Sequence, residues 1–180
     1  KGATFKIVNS RFTSTAFDKP LVFNASLRDV DVLIQNVTIS GGTHSVYIGL
    51  PAANALALTG CNVTIVGSTL AGSVAAVKIS AVVTDSVITV KDIPETNQIL
   101  ETSMTRLVGS SLTLDNVSGT NGIMSLSEAR GSTVAITAAT SAGGLFPLIF
   151  THLTDCSVRV ADSSLGGTMA ALQFYGDVKQ

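Results

Sequence analysis

Short pairs of apolar residues, two positions apart, recur along this chain. They begin at Phe5, Val32, Val63, Ile88, Leu112, Val134 and Val158, and end at Ile7, Ile34, Ile65, Val90, Leu114, Ile136 and Val160. Side chains alternate across a strand, so each pair points to one face. Two residues further on stand Asn9, Asn36, Gly67, Asp92, Asn116, Ala138 and Asp162. Asn, Asp and Gly tolerate left-handed backbone best, so this position reads as a sharp bend that ends the strand. Upstream the register holds. Asp29, Gly60, Asp85, Gly109, Gly131 and Asp155 lie three residues before a strand start, and Leu27, Leu58, Val83, Leu107, Ala129 and Leu153 lie five before. The match is closest between LTGCNVTIVG at 58–67 and LTDCSVRVAD at 153–162.

Copies of this phrase start 22 to 31 residues apart, the spacing of a solenoid. A second apolar segment falls between copies: LVF, VYI, VKI, IMSL, LIF and LQF. Matched corners on both sides of one strand are not what separate hairpins produce. The predicted fold is all-β: a right-handed parallel β-helix of about seven coils, one domain over 1–180 and a segment of a longer solenoid. A leucine-rich-repeat horseshoe places its Asn one residue later and varies less in coil length. A β-sandwich is the other rival. No stretch shows the 3.6-residue apolar period of a helix.

Composition supports this reading. Ser and Thr fill nearly a quarter of the chain, a mix that with Val and Ile favours strands. With 46% hydrophobic and 13% charged residues, a sizeable core is available. The net charge is −1 and no basic stripe is present, which argues against a nucleic-acid partner. The best apolar run, VAAVKISAVV, is too short and too interrupted to insert in a membrane. The chain opens KGATF, without Met or signal peptide, and reads as a processed product or a piece of something larger.

The register also predicts the state of the two cysteines. Cys61 and Cys156 share one corner position with Val30, Ser86, Ser110 and Ser132. Four coils separate them, roughly 19 Å at strand spacing. A disulfide needs Cα atoms within about 7 Å. Two buried free thiols are expected.

Candidate chemistry is sparse. The corner acids Asp29, Asp85 and Asp155 lie two or three coils apart, too far to share a proton or a metal. Asp92 and Asp115 are on adjacent coils, but Lys91 stacks over Asp115, so a surface ion pair is expected. Glu128 and Arg130 are read as exposed turn residues. His44 and His152 have no Cys or carboxylate at metal-ligand spacing, so no metal or cofactor is expected. Thr64, Thr89 and Thr113 form a short outward ladder, the basis for a minor ice-binding alternative. Four Asn-x-Ser/Thr sequons occur, at Asn24, Asn36, Asn62 and Asn116. Asn36 and Asn116 are bend residues, which leaves Asn24 and Asn62 as the glycosylation candidates. Tyr47 and Tyr175 are the aromatic candidates for contact with a carbohydrate or a protein partner. Residues 13–20, 41–56 and 94–103 read as the loops of the longer coils, where a binding surface is expected.

The pattern resembles the pectate-lyase-like superfold, which includes polysaccharide lyases, polygalacturonases and surface adhesins. The acidic clusters and the G-H-G and R-I-K motifs of those enzymes have no counterpart here. LTGCNVTIVGSTLAG and LTDCSVRVADSSLGG look like the repeats of kinetoplastid dispersed-gene-family surface proteins. That resemblance implies a large extracellular or cell-surface glycoprotein and supplies no catalytic residues. The expectation is a non-enzymatic stalk, adhesin or fibre-forming segment. Its repeats run to both ends without an evident polar cap, so continuation or end-to-end self-association is also expected. The alternative is a carbohydrate-active or carbohydrate-binding β-helix, against which the lack of Trp counts.

Overall fold

A computed structural model describes residues 2–13, 19–49, 56–144, 148–167, 169, 172–174 and 178–179, with backbone alone for 103–105 and 178–179. Among the described residues the protein is all β, a solenoid of about six turns carrying seven stacked copies of the strand phrase. Every strand pairing is parallel. The apolar pairs stack as the sequence predicts. Phe5 pairs with Val32, Val32 with Val63 and Val63 with Ile88. Ile88 then pairs with Leu112, Leu112 with Val134 and Val134 with Val158. Coils are numbered one to seven from this strand.

The second apolar segment builds another ladder, Leu21, Val46, Val77, Leu100, Met124, Leu148 and Leu172. Coil four contributes Leu100, which the apolar pattern had not picked out. A third short column runs from Leu27 through Leu58, Val83, Leu107, Ala129 and Leu153 to Val178. The inward members of coils two to six are buried, and the core is a largely aliphatic stack. Residues 94–103 form no outward loop. They lie within the strand Val87–Val108, where register irregularities between Ile93 and Thr96, between Thr96 and Gln98, and between Thr102 and Arg106 absorb the longer coil. Residues 14–18 and 50–55, in the other two expected loops, lie outside the described residues.

The corners follow from backbone sterics. Asn9, Asp29, Asn36, Asp85, Asp92, Asn116, Ala138, Asp155 and Asp162 all have φ between 47° and 53°. Gly60, Gly67, Gly109 and Gly131 occupy equivalent corners at φ between 56° and 62°. Ala138 holds the left-handed conformation without the local hydrogen bonding that Asn or Asp supplies. Corner residues hand backbone hydrogen bonds to the next coil. Asp29 N–H donates to Thr59 O at 2.9 Å and Gly131 N–H to Thr154 O at 2.9 Å.

Serines at one corner tie successive coils together. Ser86 Oγ accepts the Cys61 N–H at 3.0 Å, Ser110 Oγ the Ser86 N–H at 3.2 Å, and Ser132 Oγ the Ser110 N–H at 3.1 Å. Each hydroxyl donates to the carbonyl two residues back, at 2.8 to 2.9 Å. Cys61 and Cys156 occupy this column as free thiols. Cys61 is buried, as expected, but Cys156 on the last coil is only half-buried.

Candidate functional site

The acidic side chains are held in corners and ion pairs. Lys91 Nζ lies 2.9 Å from Asp115 Oδ2, as the register predicts. The hydrogen bond to Asp115 and its charge, with a smaller contribution from Asp92, raise the Lys91 pKa above the ordinary lysine value. Asn116 Nδ2 donates to Asp92 Oδ1 at 2.7 Å, one coil below. Asp29, Asp85 and Asp155 are bend-formers on coils that do not adjoin. Glu128 and Arg130 are not in a turn but in the strand Ser111–Arg130. Glu128 pairs with Arg106 of the coil below, Nε to Oε2 at 2.9 Å, because the ladder sets the two side by side.

Several polar groups converge on Glu101, which the sequence pattern does not reveal. Tyr47, Lys78 and Glu101 are consecutive members of one outward column on coils two, three and four. Glu101 Oε1 accepts from Lys78 Nζ at 2.5 Å, and Oε2 lies 2.7 Å from His44 Nε2. His44 Nδ1 is 3.2 Å from Thr43 Oγ1. Lys19 Nζ sits 3.9 Å from the centroid of the Tyr47 ring, and the His44 ring approaches the same ring edge-on at 6.0 Å. A carboxylate clasped by two basic groups is a structural anion rather than a free base. Tyr47, a candidate ligand contact, is only 2% exposed, and its hydroxyl is buried without a hydrogen-bond partner. It offers no open ring face for a sugar. Tyr175 lies outside the described residues.

His152 is exposed and paired in register with Glu128, far from His44 in the coil order. No group of three or more His, Cys, Asp or Glu side chains gathers at metal-binding distance among the described residues. The Thr64, Thr89 and Thr113 ladder is present in register, flanked by Leu33 and Ala135. All four sequon asparagines are exposed. Asn36 and Asn116 donate their side-chain amides to Asn9 and Asp92, at 3.3 and 2.7 Å, so their partners are side chains of the neighbouring coil rather than backbone. Asn24 and Asn62 are exposed side chains, and Asn62 stands at the start of the strand Asn62–Val66.

Clefts open on the described surface. One of about 260 Å³ runs along the corner formed by Asp92, Pro94, Asn116, Ala138 and Thr140. Another, about 380 Å³ and almost wholly apolar, opens beneath coil one between Phe5, Leu21, Phe23, Leu27 and Val32.

No family model, curated protein or solved structure matches the chain. Neither family resemblance drawn from the repeat phrase therefore has a match behind it, and the class the geometry defines is the β-solenoid.

Proposed function

We propose that this chain is a non-enzymatic structural or adhesive β-solenoid segment of an extracellular or cell-surface protein, used as a stalk, adhesin or fibre-forming unit. The observation that carries the reading is where the acids go. Asp115, Glu101 and Glu128 each bind a cation on a neighbouring coil, and Asp92 accepts from Asn116 above it. These carboxylates hold the stack together instead of converging on a substrate. The resemblance of the repeats to kinetoplastid surface proteins supports the same reading and suggests a glycoprotein, with Asn24 and Asn62 as its acceptors.

The test is a panel of polysaccharides offered to the purified chain with and without calcium, scored for both cleavage and retention. The scaffold reading predicts no cleavage under either condition. Retention without cleavage identifies the adhesive form of the proposal. Chain scission would overturn it in favour of a carbohydrate-active β-helix.

A further inference from the structure

The corner that ends the phrase strand repeats its chemistry from coil to coil and departs from it at two neighbouring places. The bend column is Asn, Asp or Gly except at Ala138. The column two residues further on is Thr or Ser from Thr38 to Ser164 except at Pro94. These two residues flank the groove of about 260 Å³, whose floor is the buried pair Ile93 and Val117. The groove spans coils four to six, about 10 Å at strand spacing. It is hollow because Ala138 is short. Asn116 donates to Asp92 one coil below at 2.7 Å, but Ala138 above has no side chain to continue the stack. Gly67 is short too, yet there Asn36 Oδ1 reaches within 2.8 Å of where a Cβ would stand and takes up the space. Ala138 also holds φ at 51°, where an Asn would relieve the strain and fill the hollow at once. Strained backbone of this kind collects at functional sites.

We propose that this groove binds a neutral mono- or disaccharide unit of a glycan. The proposal rests on the adhesive form of the reading above and names its contact site. The bond between Asn116 and Asp92 leaves Asp92 Oδ2 and Asn116 Oδ1 as acceptors for sugar hydroxyls. Ser118 and Thr140, register partners on coils five and six, add hydroxyls that both donate and accept. The Pro94 ring and the Ala138 methyl group offer apolar surface to the C–H face of a sugar ring. Convergent polar groups on an apolar floor are the usual make-up of a small-molecule site. The lining selects against charged ligands. No Lys or Arg lines the groove among the described residues, so an anion meets only the Asp92 carboxylate. A single carboxylate is too few for a metal ion, which takes several oxygen ligands. Without an aromatic platform the affinity is modest, with a dissociation constant on the order of 1 mM.

The experiment is an amide NMR titration of the whole chain with methyl glucoside, methyl galactoside, methyl mannoside, cellobiose and lactose, with glucuronate as the charged comparison. The expected result is saturable shifts at residues 116–118 and 138–140 with at least one neutral sugar, and weaker ones with glucuronate. Ala138→Asn gives this corner the residue type of its neighbours, so it folds at least as stably and weakens binding about tenfold or more by filling the hollow. Thr140→Ala, at an exposed site, removes one hydrogen bond and weakens binding about threefold or more. Thr89→Ala, on a different face, changes nothing. The absence of saturable shifts at the groove with every neutral sugar overturns the proposal. So does binding that survives both groove substitutions, or tighter binding of glucuronate. Retention on a polysaccharide that Ala138→Asn leaves undiminished overturns the site while the adhesive reading stands, whereas polysaccharide cleavage overturns that reading itself.

Discussion

Ser110 Oγ accepts the backbone N–H of Ser86 at 3.2 Å while lying 2.9 Å from the Val108 carbonyl oxygen. Both residues are buried. Ser110→Ala strands the Ser86 N–H away from water, and an unpaired buried donor costs about 1–3 kcal/mol. Urea unfolding should show a lower midpoint with an unchanged slope. A midpoint equal to the parent's would mean that the serine column does not tie the coils together.

Ala138 occupies a left-handed corner at φ 51° where every equivalent residue is Asn, Asp or Gly. Ala138→Gly removes that strain and should stabilise the chain by about 1 kcal/mol. Gly131, at φ 56°, has no atom within 4 Å of an added Cβ. Gly131→Asn should therefore be nearly silent, within about 0.5 kcal/mol. Gly49→Ala is the contrast, since its Cβ would lie 2.1 Å from Ser80 O at φ +132°. It should lose about 2 kcal/mol or more. Thermal unfolding of the three variants checks the order.

The Tyr47 hydroxyl is buried without a partner, so Tyr47→Phe should raise stability by about 1 kcal/mol. Glu101→Gln has the opposite sign. It leaves His44 and Lys78 without their shared anion and should destabilise by about 1–2 kcal/mol, reduced by partial solvent screening. Denaturant titration of both variants at neutral pH separates the two effects.

The raised Lys91 pKa fixes the sign of one pH effect. A lysine whose folded pKa exceeds its unfolded value stabilises most below the unfolded value, about 10.4. That contribution fades as pH rises through the folded pKa. Parent and Lys91→Met should differ at neutral pH and converge in alkali as the raised lysine pKa is passed, a comparison that thermal melts at several pH values make directly. A gap that widens in alkali would contradict the pairing with Asp115.

The corners were legible because their residue types are chosen by local backbone sterics, which a single chain displays openly. Ala138 was legible as a corner only through register, since alanine carries no such signal. Lys91 and Asp115 were found together because they hold the same place in adjacent copies. His44 and Glu101 were not, because they lie 57 residues and two coils apart. Leu100 of coil four escaped because polar Gln98 and Thr102 flank it and the strand Val87–Val108 runs on without a turn. Glu128 was misread as a turn residue because its partner, Arg106, is adjacent only across coils.

Stacking of the seven strand copies in one parallel register is the claim from which the rest descends. Paired cysteines on the outward threonine ladder test it most directly, in a chain whose own thiols are replaced by Cys61→Ser and Cys156→Ser. Thr64 and Thr89 are register partners on adjacent coils, and Thr113 is one coil further. Neighbouring strands lie about 4.8 Å apart, within reach of a disulfide, whereas two coils span about twice that. Mild oxidation should crosslink Thr64→Cys with Thr89→Cys, and Thr89→Cys with Thr113→Cys. It should leave Thr64→Cys with Thr113→Cys reduced. Efficient crosslinking of that last pair, with failure of the first two, would contradict the stacked-coil register.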